Sequence, residues 1–250
     1  MGYEHIIYEK RDHVAYVTIN RPESMNALNT RCHIELREIF EDYRDDPECW
    51  VAILTGAGDR AFCAGADLKE VADGNASRTL PWGGITRDFE CFKPIIAAVN
   101  GMAFGGGTEL VLAADTARFG LTEPRVGVVA GAGGLQRLPR QIPLKRAMGL
   151  ILTGGRMDAH EAYTLGLVNE VVPAADLMEA AHRWAGEILL CSPTSVRLSK
   201  EIVIRSLEHA SVADAFATQD EPLSRLFASE DFKEGPRAFA EKRTPAWTGR

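Results

Sequence analysis

The sequence predicts an α/β fold, a mostly parallel β-sheet core followed by a helical C-terminal part. Three observations carry that prediction. Short β-branched or apolar runs at residues 14–20, 50–54 and 95–99 have strand length and end at breaking residues. Between them, apolar residues recur at helical spacing, and alternation of strand with helix favours a parallel sheet. Beyond residue 173 the strand signal stops, and helical patterns run to about residue 241.

The elements follow in order. Residues 14–20 alternate as a strand and are broken by Asn20-Arg21-Pro22. A helix starts at Asn29 or Thr30 as N-cap and runs to about Tyr43, with Ile34, Ile39, Phe40 and Tyr43 on its apolar stripe. Residues 50–54 form a buried strand ahead of Gly56, and residues 95–99 another ahead of Asn100-Gly101. Residues 108–114 read as a helix leaving a glycine triplet, and residues 117–121 as a strand. Asp158-x-x-Glu161 has the form of a capping box. Residues 167–172 make a last strand, and the helices after Pro173 break near Ser192-Pro193. The segment 73–84, polar and rich in glycine, is the expected mobile loop.

Composition narrows the function. A chain of 250 residues with 46% hydrophobic and 25% charged residues suits a globular protein of one large domain, or of one domain plus a small appendage. A net charge of −7 argues against nucleic acid as partner, since phosphate binding needs a basic surface. No run of about 18 apolar residues occurs, so no membrane span is expected, and the first residues lack the pattern of a secretory leader. Five scattered cysteines without a Cys-x-x-Cys pair suit a reduced, cytoplasmic protein. Six dispersed histidines give no metal-ligand spacing, so no metal site is expected.

Three segments carry chemistry. In Gly105-Gly106-Gly107-Thr108-Glu109-Leu110 the glycines let a ligand approach bare backbone, and the amides opening a helix could hold an oxyanion. Glu109 would project nearby; a tight helix–sheet crossing with a surface Glu fits the same residues. In Phe62-Cys63-Ala64-Gly65-Ala66-Asp67-Leu68 small residues again expose amides, although a plain βα turn fits too. Glu123, in Thr122-Glu123-Pro124 after a strand and close to Gly131-Ala132-Gly133-Gly134, could reach into a cleft or simply be solvated. No G-x-G-x-x-G, P-loop or G-x-S-x-G pattern is present.

Together these segments resemble the crotonase (enoyl-CoA hydratase/isomerase) family as an ordered series over nearly the whole chain. It runs from Asn20-Arg21-Pro22 and Asn26-Ala27-Leu28 through the 61–69 segment. Lys93-Pro94, Ala97-Ala98-Val99-Asn100-Gly101 and the 105–110 run come next. Gly131-Ala132-Gly133-Gly134 with Gln136-Arg137-Leu138, Leu152-Thr153-Gly154, Gly166-Leu167-Val168 and the tail Glu234-Gly235-Pro236 complete it. The tail is especially similar to that of carnitinyl-CoA dehydratases.

The resemblance implies a spiral ββα core over residues 1–190 and a helical trimerisation part over 191–250, assembled as trimers or dimers of trimers. It implies an acyl-CoA substrate whose thioester oxygen lies between the amides of Ala64 and Gly106, with Glu109 and Glu123 as the two catalytic carboxylates. It implies contacts to CoA or substrate at Met25, Ala27, Ala64, Gly65, Ala66, Asp67, Leu68 and Gly131. No cofactor is implied, because CoA is part of the substrate. Two carboxylates favour syn hydration of an α,β-unsaturated thioester. Dehydration of carnitinyl-CoA, isomerisation with one Glu, or non-catalytic RNA binding on the same scaffold are the alternatives. One shortage stands out. Between Asp115 and Ala117 only Thr116 lies where the family would have a further strand, about six residues. Either residues 113–120 take another route, or the natural chain has a segment that this sequence lacks.

Overall fold

The computed structural model describes residues 2–75, 82–104, 110–114 and 117–250. Ten strands are described: β1 (Ile6–Arg11), β2 (Val14–Ile19), β3 (Val51–Gly56), β4 (Ala61–Cys63), β5 (Ile95–Val99), β6 (Met102–Phe104), β7 (Leu110–Ala114), β8 (Arg118–Gly120), β9 (Arg156–Asp158) and β10 (Glu170–Val172). They form a six-stranded sheet, β1-β2-β3-β5-β7-β10, and a four-stranded sheet, β4-β6-β8-β9. The larger sheet is parallel except for the β1–β2 hairpin. In the smaller one β4, β6 and β8 are parallel and β9 is antiparallel to β8.

The helices are α1 (Thr30–Asp45), α2 (Leu68–Ala72), α3 (Gly134–Gln141), α4 (Leu144–Thr153), α5 (Ala159–Thr164), α6 (Leu177–Leu189), α7 (Pro193–Ser206), α8 (Val212–Ala215), α9 (Asp220–Ala228) and α10 (Glu230–Glu241). Successive strand side chains point to opposite faces, so a sheet covered on both sides needs two apolar sets. Ala15, Val17, Ile19, Ala52 and Leu54 face Leu36, Ile39, Phe40 and Tyr43 of α1. Val14, Val51, Ile53, Ile96 and Ala98 face Leu177, Ala180, Ala181 and Ala185 of α6. A third cluster joins the sheets, with Ala97 and Val99 packed among Phe119, Met157, Ala162 and Val168.

Local signals hold at several ends. Asn29 caps α1 by accepting from the Cys32 amide at 2.9 Å. Asp158 caps α5 by accepting from the Glu161 amide at 2.9 Å. Ser192 caps α7, with Pro193 at its first turn, which explains the break between α6 and α7. The strands β1, β4, β6 and β9 are additions: three of them are three residues long, and β1 is mostly exposed, so neither length nor alternation marks them.

Residues 108–114 were expected to be helical, and over 110–114 that expectation is overturned. Leu110–Ala114 is the strand between β5 and β10, with Ala98 and Glu170 both opposite Leu112. Leu110–Ala114 pairs with β5 on one side and β10 on the other. An empty slot would strand two rows of backbone donors and acceptors, and a five-residue apolar run is long enough to satisfy them. Asp115 and Thr116 lie outside the described residues. Of the expected mobile loop, residues 82–84 pack on α1, where the Gly83 amide donates to Nδ1 of His33 at 3.0 Å. Gly84 lies so close to the Arg37 backbone that a Cβ there would stand 2.5 Å from its nitrogen. Residues 76–81 lie outside the described set.

Candidate active site

The small sheet sets the place. Because β4, β6 and β8 are parallel, the chain leaves all three at the same edge, after Cys63, Phe104 and Gly120. Ligands bind at that edge of parallel sheets, where loops converge. With β6 between them, β4 and β8 stand two strand spacings apart, roughly 10 Å.

After β4 the turn is fixed by a second segment. Met25 and Asn26 both take the left-handed conformation, at φ 54° and 55°. Asn26 is fully buried. Its Oδ1 accepts from the Arg21 amide at 3.0 Å, and its Nδ2 donates to the carbonyls of Ala57 and Ala61 at 2.9 and 2.6 Å. That side chain ties the 21–28 loop to the start of β4. The loops then join as a parallel bridge: the Leu28 amide donates to the Gly65 carbonyl at 2.8 Å and the Asp67 amide to the Leu28 carbonyl at 3.0 Å. Arg21 donates to the Ala27 carbonyl and pairs with Asp67 at 2.9 Å. Met25, Ala27 and the 64–68 turn, all expected at the substrate, are therefore brought together.

The amides of that turn have distinct fates. The Ala64 N–H, expected to be an oxyanion donor, is taken by the Met25 carbonyl at 3.0 Å. A donor spent on a carbonyl is not free for a thioester oxygen, so this geometry does not suit Ala64 for the role. The Gly65 N–H reaches the sulfur of Cys63. In a parallel bridge the residue between the two bonded amides turns its own N–H to the other side, and here that residue is Ala66. Among the described residues the Ala66 N–H has no hydrogen-bond partner, and Ala66 is exposed. Gly65, at φ 104°, sits beside Phe104, the last residue of β6. The glycine run that continues from Phe104, with Gly106 and Glu109, lies outside the described residues.

Electrostatics fix the other groups nearby. Burial would raise the Asp67 carboxyl, but hydrogen bonds from Arg21 and the Lys69 amide outweigh it and hold it below the usual range. The carboxylate also caps α2, so Asp67 shapes the turn. The Cys63 thiol is pushed up to about 12 by burial, which keeps it protonated and unfit as a nucleophile. Leu68 is exposed.

After β8, Glu123 opens a single helical turn, Glu123–Val126, whose carbonyl at Glu123 accepts from the Val128 amide at 3.2 Å. Its Oε2 is shielded from solvent yet has no hydrogen-bond partner among the described residues. A shielded carboxylate oxygen without a protein donor is costly, and such groups are a feature of sites that handle protons. Gly131 follows on an exposed loop and is not hydrogen-bonded to the 64–68 turn among the described residues. Asn20-Arg21-Pro22 and Asn26 stand out in the sequence as motif members, but their structural duty does not. The signal was there in principle: polar residues inside an otherwise apolar frame need buried partners. Among the described residues no group of three His, Cys, Asp or Glu is placed to hold a metal ion.

The fold and this edge define a class. The family described as enoyl-CoA hydratase/isomerase matches residues 9–250, and the chain belongs to that crotonase family of enzymes. Its relatives include a carnitinyl-CoA dehydratase of Proteus mirabilis, 41% identical and covering 96% of this chain and 97% of that one. A carnitinyl-CoA dehydratase of Escherichia coli K12 is 42% identical over 94% of each chain. Among solved structures, the enoyl-CoA hydratase EchA1 of Mycobacterium marinum matches with a TM-score of 0.92 at 40% identity, over 98% of this chain and 99% of that one.

Proposed function

We propose that this enzyme catalyses the reversible hydration of an α,β-unsaturated acyl-CoA thioester, with Glu123 as one of its proton-transfer groups. The shielded, unpartnered Oε2 of Glu123, at the same sheet edge as the open Ala66 amide, is the observation that carries the reading. Water adds to the β-carbon, and negative charge collects on the thioester oxygen as an enolate. The Ala66 N–H, in place of Ala64, donates to that oxygen, with the Gly106 N–H as its expected partner. One such donor is worth about 2.7–4 kcal/mol in the transition state. Glu123 and Glu109 share the proton work, one accepting from water and the other giving to the α-carbon. The curated relatives favour a second reading within the same chemistry, dehydration of a hydroxyacyl-CoA such as carnitinyl-CoA.

The test is a panel of enoyl-CoA substrates of different lengths, with crotonobetainyl-CoA among them, run on the wild type, Glu123→Gln and Glu109→Gln. Loss of a general acid or base lowers kcat about 10²–10⁴-fold. Near-normal turnover by Glu123→Gln removes Glu123 from the mechanism. Loss in Glu123→Gln alone, with turnover limited to double-bond migration, makes the enzyme a one-carboxylate isomerase. Trimers or their dimers belong to the same proposal. Large apolar side chains left exposed on the C-terminal helices support it, Leu207 at 73% and Phe239 at 87% among them. A 27.3 kDa particle in light scattering at assay concentration refutes it.

A further inference from the structure

Away from the sheet edge, a cleft of about 700 Å³ opens between the core and the C-terminal helices. Its walls come from the end of α1, the 90–93 segment, α7, α9 and residues 249–250. In a chain of net charge −7 its lining is basic: Arg44, Lys93, Arg197, Arg205, Arg225 and Arg250 face it. Only two carboxylates line it among the described side chains, Glu90 and Glu201.

Internal pairing neutralises only part of it: Arg44 binds both carboxylate oxygens of Asp45 at 2.7 and 2.8 Å, and Arg225 also reaches Glu221 at 2.8 Å. Glu201 is buried and already serves two partners, Arg205 at 2.8 Å and Arg225 at 2.5 Å. Glu90 is mostly exposed and reaches Arg205 only at 4.0 Å. Arg197 donates to neutral oxygens alone among the described residues, the Thr194 hydroxyl at 3.4 Å and the Gly249 carbonyl at 2.7 Å. Lys93, 4% exposed, donates to the carbonyls of Tyr43 and Asp46 at 2.7 and 2.6 Å. Nε of Arg205 is shielded from solvent with no hydrogen-bond partner among the described residues. The cations also oppose one another. Burial first, and then the Arg197 charge, lowers the Lys93 ammonium below its usual range. Arg197 is lowered too, by burial first and with Arg225 adding to it against the opposing pull of Asp231.

We propose that this cleft is a second ligand site, for a small diphosphate-class anion, separate from the thioester site. Guanidinium groups match phosphate oxygens in paired hydrogen bonds, and an anion would supply the acceptor that Arg205 Nε lacks. Size and spacing favour an extended polyanion over a lone phosphate. The volume falls in the range of small-molecule sites. Arg197 and Arg205 are eight residues apart on α7, about 12 Å along its axis. An anion held there would tie the core segment at Lys93 to α7 and α9.

The experiment is calorimetric titration of the full-length protein with inorganic pyrophosphate at low salt, on the wild type, Arg197→Gln and Arg205→Gln. The expected result is one site per chain, weakened tenfold or more in each variant. Crotonyl-CoA turnover without pyrophosphate stays as in the wild type. Arg205, about two-fifths exposed, carries the test alone if Arg197→Gln does not fold. No binding by the wild type, or binding untouched by the variants, overturns the proposal. Loss of all enoyl-CoA turnover with pyrophosphate binding intact would instead strike the hydration reading and leave this one standing.

Discussion

Two segments read as helices from their residues, α1 and the 108–114 run, and only one of them keeps that form in its described part. Helix α1 has sixteen residues, a side-chain cap at Asn29 and an apolar stripe with Leu36, Ile39, Phe40 and Tyr43 buried. Leu110–Ala114 has five residues, all of them apolar, and it lies between two strands that need a partner. A stripe with a cap determines its own structure. A short apolar run fits helix or buried strand equally, and its neighbours decide. The difference matters for function, because the expected Glu109 directly precedes the segment that its surroundings convert.

The largest effect should come from breaking the imposed element. Leu112 lies opposite Ala98 on one side and Glu170 on the other. Leu112→Pro removes a ladder donor from a central strand and crowds both neighbours, at about 3 kcal/mol or more. Urea unfolding should show a loss of that size across the whole domain. A mild, local effect would mean that the sheet does not depend on this strand. Carbon chemical shifts across residues 110–114 sharpen the contrast: they should lie on the strand side, and helical values would reverse the assignment.

How much was legible follows the same division. The strands at residues 14–19, 51–56 and 95–99 were readable because each is long enough to carry its own pattern. The caps at Asn29 and Asp158 were readable because their bonds span three residues; at Ser192 only the break was read, not the cap. The small sheet was mostly hidden. Its strands have three residues each, and their meaning lies in which edge they share. At the site, the family resemblance brought out Glu123 and the 64–68 turn. The choice between the Ala64 and Ala66 amides was not readable. It depends on a bridge to Leu28, thirty-seven positions away from Gly65 in the chain.

The start of α10 lies between the two extremes, since Ser229 caps it locally while Asp231 binds distant residues. Asp231 is buried and accepts from the Ser192 hydroxyl at 2.8 Å, the Thr248 amide at 2.9 Å and the Gly249 amide at 3.2 Å. Burial alone would raise its carboxyl; these donors outweigh burial and hold it below its ordinary 3.8. A depressed carboxyl stabilises the fold above its unfolded value and stops doing so as pH falls through the folded one. Acidification below about 3.8 should therefore release the tail from α7 and α10, with the rest of the helix retained at first. The indole N–H of Trp247, bonded to the Leu190 carbonyl at 2.9 Å, reports it by NMR. An indole signal unchanged to pH 2 would show that Asp231 does not hold the tail.

The smallest effect belongs to the self-determined helix. Asn29→Ala removes the acceptor for the Cys32 amide, and N-cap losses of this type cost about 1 kcal/mol. The loss should stay local for two reasons. The Thr30 amide keeps a bond to the Glu70 carboxylate at 2.8 Å, so the first turn is still held from outside. The stripe that fixes α1 on the sheet is buried beyond that turn, at Leu36, Ile39, Phe40 and Tyr43. Amide exchange should quicken at residues 31–33 and remain slow from Leu36 onward, with a small fall in the urea midpoint. Exchange that quickens along all of α1 would show that the helix is held by its cap, as a marginal helix is, and the contrast with Leu110–Ala114 would then fail. The outcome also bears on the site, because Leu28 precedes Asn29 and is bonded to both Gly65 and Asp67. If the cap serves only the helix, Asn29→Ala should leave kcat near the wild-type value while stability falls.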